Sequence, residues 1–152
     1  MGAQYREVKR TLKGVGSLPY IEVKNVPMRI YEEHGETVHS KTLAEVEQLA
    51  AREIILRRLP IRGREVGFFR GMFAMSQREF AAKLGLTHVA ILKWERAQGK
   101  RLDMINEIAV KTLMAGLLGL KVSASIENLV GDGDAPKRLT LDFDQPLRKS
   151  AA

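Results

Sequence analysis

Residues 76–95 read SQREFAAKLGLTHVAILKWE, and the order of capping, apolar and small residues in this stretch decides how the rest of the chain is read. Ser76 with Glu79 three residues on is a capping box, in which each side chain accepts from the other's backbone N–H. Phe80 and Leu84 fall one turn apart on an inner face, and Ala81 is small where two helices cross closely. Gly85 permits a left-handed turn with no Cβ clash. Leu86 plugs that turn, Thr87 caps a second helix, and Ile91 and Trp94 anchor it to the core. The spacing predicts a helix-turn-helix over 76–95 whose second helix turns His88, Val89, Ala90 and Lys93 outward. A helix presented in this way fits the major groove of DNA, its N-terminal residues facing base edges.

The flanking segments extend the helical pattern. Upstream, 63–74 carries an inner stripe of Val66, Phe69 and Phe73, flanked by Phe68 and Met72. Before it, Thr42 opens a helix with Glu45 in the capping-box position; Leu43, Val46, Ala50 and Ile54 recur at helical spacing with Leu49 beside them, and Pro60 ends it or the link after it. Downstream, 99–102 is a basic turn, and Asp103 caps a helix ending near Leu120. Ile105, Ile108 and Ala109 lie on one side of it; Val110, Leu113, Met114, Leu117 and Leu118 spread over another. A helix with two apolar faces needs two partners: its own core and, we expect, a second copy of the chain. Asn106, Glu107 and Lys111 make the same stretch a buried helix and not a membrane span.

The ends read differently. Residues 1–16 are basic and Gly-containing, a flexible lead-in with no secretory signal. Over 19–31, Ile21, Val23, Met28 and Ile30 predict short alternating strands interrupted by Pro27, and 32–40 reads as a loop. Residues 131–136 are a linker, Leu139, Leu141 and Phe143 alternate as in a strand, and 145–152 fray. The expected architecture is therefore mostly α: a helix-turn-helix domain with a small N-terminal β element and a short C-terminal strand. Its parts are 1–41 (lead-in and β element), 42–121 (helical domain) and 122–152 (extension, with a strand at 138–144).

Bulk composition agrees with a small DNA-binding protein. A chain of 152 residues, 45% hydrophobic, suits one domain with a core. The net charge of +7 points to a polyanionic partner, nucleic acid before membrane. No Cys is present, which excludes disulfides and thiolate metal sites and points to a reducing, cytoplasmic setting. His34 and His39 lie near Glu32, Glu33 and Glu36, but in a loop without ligand spacing. Gly14-Val15-Gly16 is too short for a dinucleotide fingerprint, and Asp132 and Asp134 lack the Glu that closes a calcium loop. No cofactor, metal or catalytic constellation is expected, and the chain is read as not an enzyme.

Residues 76–95 resemble the XRE-type helix-turn-helix of phage repressors and Cro. A wider stretch, 18–98, resembles antitoxin-repressors of the MqsA and HigA type, in which a G-x-E-[IV]-x-x-x-R run precedes L-S-Q and a W-E pair. Here the run is Gly63-Arg64-Glu65-Val66-Gly67-Phe68-Phe69-Arg70, Met75 stands for the Leu before Ser76-Gln77, and the pair is Trp94-Glu95. MqsA-type proteins also carry a Cys-based zinc domain, which a chain without Cys cannot form. The resemblance implies that Gln77 and Thr87 meet phosphates and that His88, Val89 and Lys93 read bases. Lys93 would donate to guanine, and Val89 or Ala90 would touch a thymine methyl. Arg96, Lys100 and Arg101 become phosphate candidates. Arg78 is either a DNA contact or a solvated charge, and Arg70 and Glu95 an internal ion pair. The expected function is an autoregulatory repressor of a toxin-antitoxin operon, binding a palindromic double-stranded operator as a homodimer. The alternative is an antitoxin that grips a partner toxin through 18–56 or 139–143.

Overall fold

The computed structural model describes residues 4–122 and 125–145. Two long strands, β1 (Tyr5–Val15) and β2 (Leu18–Tyr31), form an antiparallel hairpin. β3 (Gly35–Thr37) continues the sheet antiparallel to the far end of β2, and β4 (Leu139–Asp142) lies parallel to β2 along 21–24. This four-stranded mixed sheet overturns the expected mostly α architecture with its small β element. The cause is the inner face of β2. Leu18, Ile21, Val23 and Val26 are all fully buried, and an apolar sheet face of that length needs a helical layer over it.

Over 5–15 the basic lead-in is thus a strand and not a flexible arm, while residues 1–3 of it lie outside the described residues. Within β1, Leu12 and Val15 turn inward while Arg6, Lys9, Arg10 and Lys13 stay in solvent. Two register shifts, at 10–12 and 13–15, break the period-2 signal. Gly14 and Gly16 (φ 92° and 55°) carry the chain through the hairpin end. Nor does Pro27 interrupt β2. It pairs opposite Lys9, and on the other flank β4 stops at Lys24 while β3 starts opposite Arg29. Proline falls in that gap, where its missing N–H costs no ladder bond on that side. The expected loop over 32–40 contains β3.

Two helices cover the sheet. α1 (Ser40–Leu56) contributes Val46, Leu49, Ala50 and Ile54, and α2 (Gly63–Met72) contributes Phe68 and Phe69. α1 starts before the expected Thr42: His39 is its N-cap, its ring Nδ1 accepting from the Lys41 amide at 3.3 Å. Next come α3 (Gln77–Leu84), α4 (His88–Arg96) and α5 (Met104–Leu118), the last capped by Asp103 and closed by Gly119 at φ 67°. α6 (Ile126–Leu129), a turn of helix the sequence did not suggest, buries Leu129 against α5. The chain then returns to β4, whose Leu139 and Leu141 join the core. The predicted strand at 138–144 is shorter in the structure, and the fraying expected beyond Gln145 lies outside the described residues. No described helix is long and apolar enough to cross a membrane.

Candidate nucleic-acid interface

α3 and α4 are built by local chemistry. The Glu79 amide donates to Ser76 Oγ at 3.0 Å, and the Ser76 amide to Glu79 Oε1 at 3.4 Å. α3 ends at Gly85 (φ 69°), whose N–H and that of Leu86 satisfy the last carbonyls, Ala82 O and Ala81 O. Phe80, Ala81 and Ile91 are buried, and Leu84, Leu86 and Trp94 pack against the core from the side. Thr87 occupies the N-cap of α4 in extended backbone, but its side chain makes no capping bond.

α4 is held from behind by a clamp and a close approach. The Arg70 guanidinium donates twice to Glu95, at 2.9 and 2.7 Å, and once to Met75 O at 3.1 Å. One side chain therefore ties α2, the α2–α3 turn and α4, and the bond to Glu95 raises the Arg70 pKa. Beside it, Gly63 lets α2 approach so closely that a Cβ there would lie 1.8 Å from Trp94 O.

The outer side of α4 opens into a cleft of about 580 Å³ that continues into the α4–α5 turn. It brings together Thr87, Val89, Ala90, Lys93, Lys100 and Arg101; Gln77, Arg78, His88 and Arg96 lie outside its lining. Arg78, Lys93, Arg96 and Lys100 are exposed, and among the described residues no side chain pairs with them. Val89 is also exposed, at 46%. Gln77, His88 and Ala90 are half-buried.

Arg101 is different. Its guanidinium donates to both oxygens of Glu107 at 2.9 Å and to Gly131 O at 3.2 Å. Glu107 is buried on α5 and also accepts from the Ile61 amide at 2.9 Å and from Lys111 at 3.4 Å; the Lys111 ammonium, with no exposed surface, donates to Leu129 O at 2.6 Å. Burial pushes the Glu107 carboxyl up, but the bonds from Arg101 and Ile61 and the Lys111 charge outweigh it and hold its pKa low. Arg101 is thus held by an internal carboxylate and joins the C-terminal segment to the helical body, so it leaves the set of phosphate candidates. The Glu107–Lys111 pair was visible in the sequence only as two charges, four apart, in an apolar run.

Lys111 makes stability depend on pH. Burial lowers its pKa to about 8, against partial compensation by Glu107. Between that value and the ordinary 10.5 the unfolded chain holds the extra proton, so stability rises with pH across the interval. Tyr20 acts oppositely at the upper end: burial, then the charge of Glu65, raises its phenol pKa, and the unfolded phenol ionises first. From about pH 7.5 to about pH 9.5 the thermal midpoint should rise relative to that of Lys111→Met. A constant gap between the two proteins would refute this.

Comparison of the chain with protein-family models, curated proteins and solved structures returns no match. Among the described residues no group of three or more His, Cys, Asp or Glu could hold a metal ion.

Proposed function

We propose that this chain is a sequence-specific DNA-binding repressor acting in the cytoplasm on a palindromic operator, its own promoter within a toxin-antitoxin operon. The observation that carries the reading is the asymmetry of α4. Its inner side is fixed by Ile91, Trp94 and the Arg70–Glu95 clamp, while its outer side presents Val89, Lys93 and Arg96, followed by Lys100 in the next turn; among the described residues no side chain pairs with these three cations. A rigid helix with a free basic face suits the major groove: Lys93 reads guanine, Val89 or Ala90 a thymine methyl, and Gln77, Thr87, Arg96 and Lys100 set register on phosphates. His88 serves base or backbone, and Arg78 adds a further cation at the head of α3. The resemblance of 76–95 to helix-turn-helix repressors supports the same reading.

A palindromic site requires two recognition helices about 34 Å apart, hence a homodimer. Met104 and Ile105, 53% and 80% exposed at the head of α5, offer a contact surface next to α4. The test is fluorescence anisotropy with DNA from upstream of the gene, against scrambled DNA, over a range of salt. Lys93→Ala should lose discrimination at particular base pairs. Lys100→Ala should weaken all sequences alike and reduce the salt slope by about one. Equal binding to native and scrambled DNA, or indistinguishable behaviour of the two variants, would defeat the proposal.

One observation favours a second role as an antitoxin. Val8, Met28 and Ile30 share one face of the hairpin, as the register pairs Val8 with Met28 and Arg6 with Ile30, and all three are only half-buried. None of the three lines the cleft beside α4, and a protein partner could take them without covering that cleft's lining.

A further inference from the structure

The cleft beside α4 has the makings of a small-molecule site. Its volume, about 580 Å³, lies within the range of ligand pockets, roughly 300–1,000 Å³. Its apolar lining comes from Val89, Ala90, Trp94, Ala97 and Leu102. Two charged groups at its edge are already engaged: Arg101 donates to Glu107, and Asp103 caps α5, accepting from the Asn106 amide and from Asn106 Nδ2, each at 2.9 Å. The two that remain, Lys93 and Lys100, are both cations, exposed and without a side-chain partner among the described residues. Arg101 is balanced by Glu107, whereas Asp103, bonded only by uncharged donors, keeps its negative charge; with Lys93 and Lys100 the rim is net positive, and over an apolar, aromatic-lined floor it selects an amphipathic anion.

We infer that this cleft binds a small aryl carboxylate, its ring over Trp94 and its carboxylate between Lys93 and Lys100, and that the bound molecule releases DNA by taking those two lysines. The binding half stands on the cleft alone; the release half rests on the DNA-binding function proposed above. The charge complementarity of the rim sets the class. An uncharged aromatic leaves the lysines in water with nothing gained, and a small carboxylate without a ring leaves the Trp94 surface wet.

Trp94 is the only tryptophan of the chain and lines the cleft, so its emission reports occupancy. The full-length protein, free of DNA, is titrated with 3-phenylpropionate, and separately with 3-phenylpropan-1-ol, which lacks the charge, and propionate, which lacks the ring. The expected result is a saturable change with 3-phenylpropionate at a Kd of about 1 mM or tighter, and binding at least about tenfold weaker for either control. Ala97→Leu, which fills the floor at an exposed position, should abolish the response while leaving circular dichroism unchanged. Equal responses to all three compounds, no saturation, or a response surviving in Ala97→Leu would overturn the inference. So would an affinity for 3-phenylpropionate that weakens as protein concentration rises and recovers in Ile105→Asp, which would give the cleft itself to a second copy. In a second arm, 3-phenylpropionate should displace upstream DNA from the unmodified protein and not from Ala97→Leu. Failure of that arm with a positive titration would overturn the release step only. Failure of native-sequence preference would defeat the DNA reading and leave the titration to decide the cleft.

Discussion

Gly63→Ala should lower stability by about 3 kcal/mol, and the thermal midpoint by roughly 6–12 °C, a large effect for one methyl group. The added Cβ would lie 1.8 Å from Trp94 O, 2.8 Å from Trp94 C and 3.0 Å from Ala97 O. All three are backbone atoms, so no rotamer change relieves the clash, and α2 and α4 must move apart. That separation strains the Arg70–Glu95 clamp, which spans the same two helices at 2.7 Å, and shifts α4 on its support. DNA affinity should therefore fall even at temperatures where the variant stays folded. Gly71→Ala is the control: it lies in the same helix with nothing within 4 Å of its added Cβ, and should be neutral or gain up to about 1 kcal/mol from helix propensity. Equal midpoints for the two variants in a thermal melt would mean that the helices do not approach as described.

Glu107→Ala should cost about 3–5 kcal/mol in urea unfolding, because it strands a buried charge. Lys111 has no exposed surface, and its remaining partner would be Leu129 O. The Ile61 amide would lose its acceptor as well. Arg101, whose side chain is 36% exposed, can turn to water and adds less to the loss. Glu107→Ala combined with Lys111→Met should recover part of the stability, since removing a whole buried pair costs less than removing one member of it. A loss below about 1 kcal/mol for the single variant, or no recovery in the double, would show that the cluster is not desolvated. The same cluster holds the C-terminal segment, through Arg101 on Gly131 O and Lys111 on Leu129 O. The single variant should therefore also speed amide exchange over 126–131.

The sequence by itself determined what is local. The Ser76–Glu79 box, the left-handed Gly85, the inward Phe80 and Ile91 and the Asp103 cap each depend on neighbours within about one helical turn, and each is present in the structure. The free cations of α4 were legible for the same reason, since an outward position on a short helix follows from its spacing. Tertiary structure decided the rest. β1 looked like a flexible basic arm because its outward positions are Arg and Lys and two register shifts break its alternation; only pairing with β2 makes it a strand. β4 was foreseen as a strand, but its parallel place beside Ile21 and Val23 joins segments more than a hundred residues apart, a pairing no local pattern records. Arg101 and Lys100 looked alike in the sequence, neighbouring basic residues in the turn after the second helix and both phosphate candidates. One is drawn inward because a buried carboxylate at Glu107 must be compensated, and the other stays in solvent because nothing buried needs it. Helix ends and turns are set by backbone hydrogen bonds between near neighbours, whereas sheet membership and charge pairing are set by which distant groups the core desolvates together.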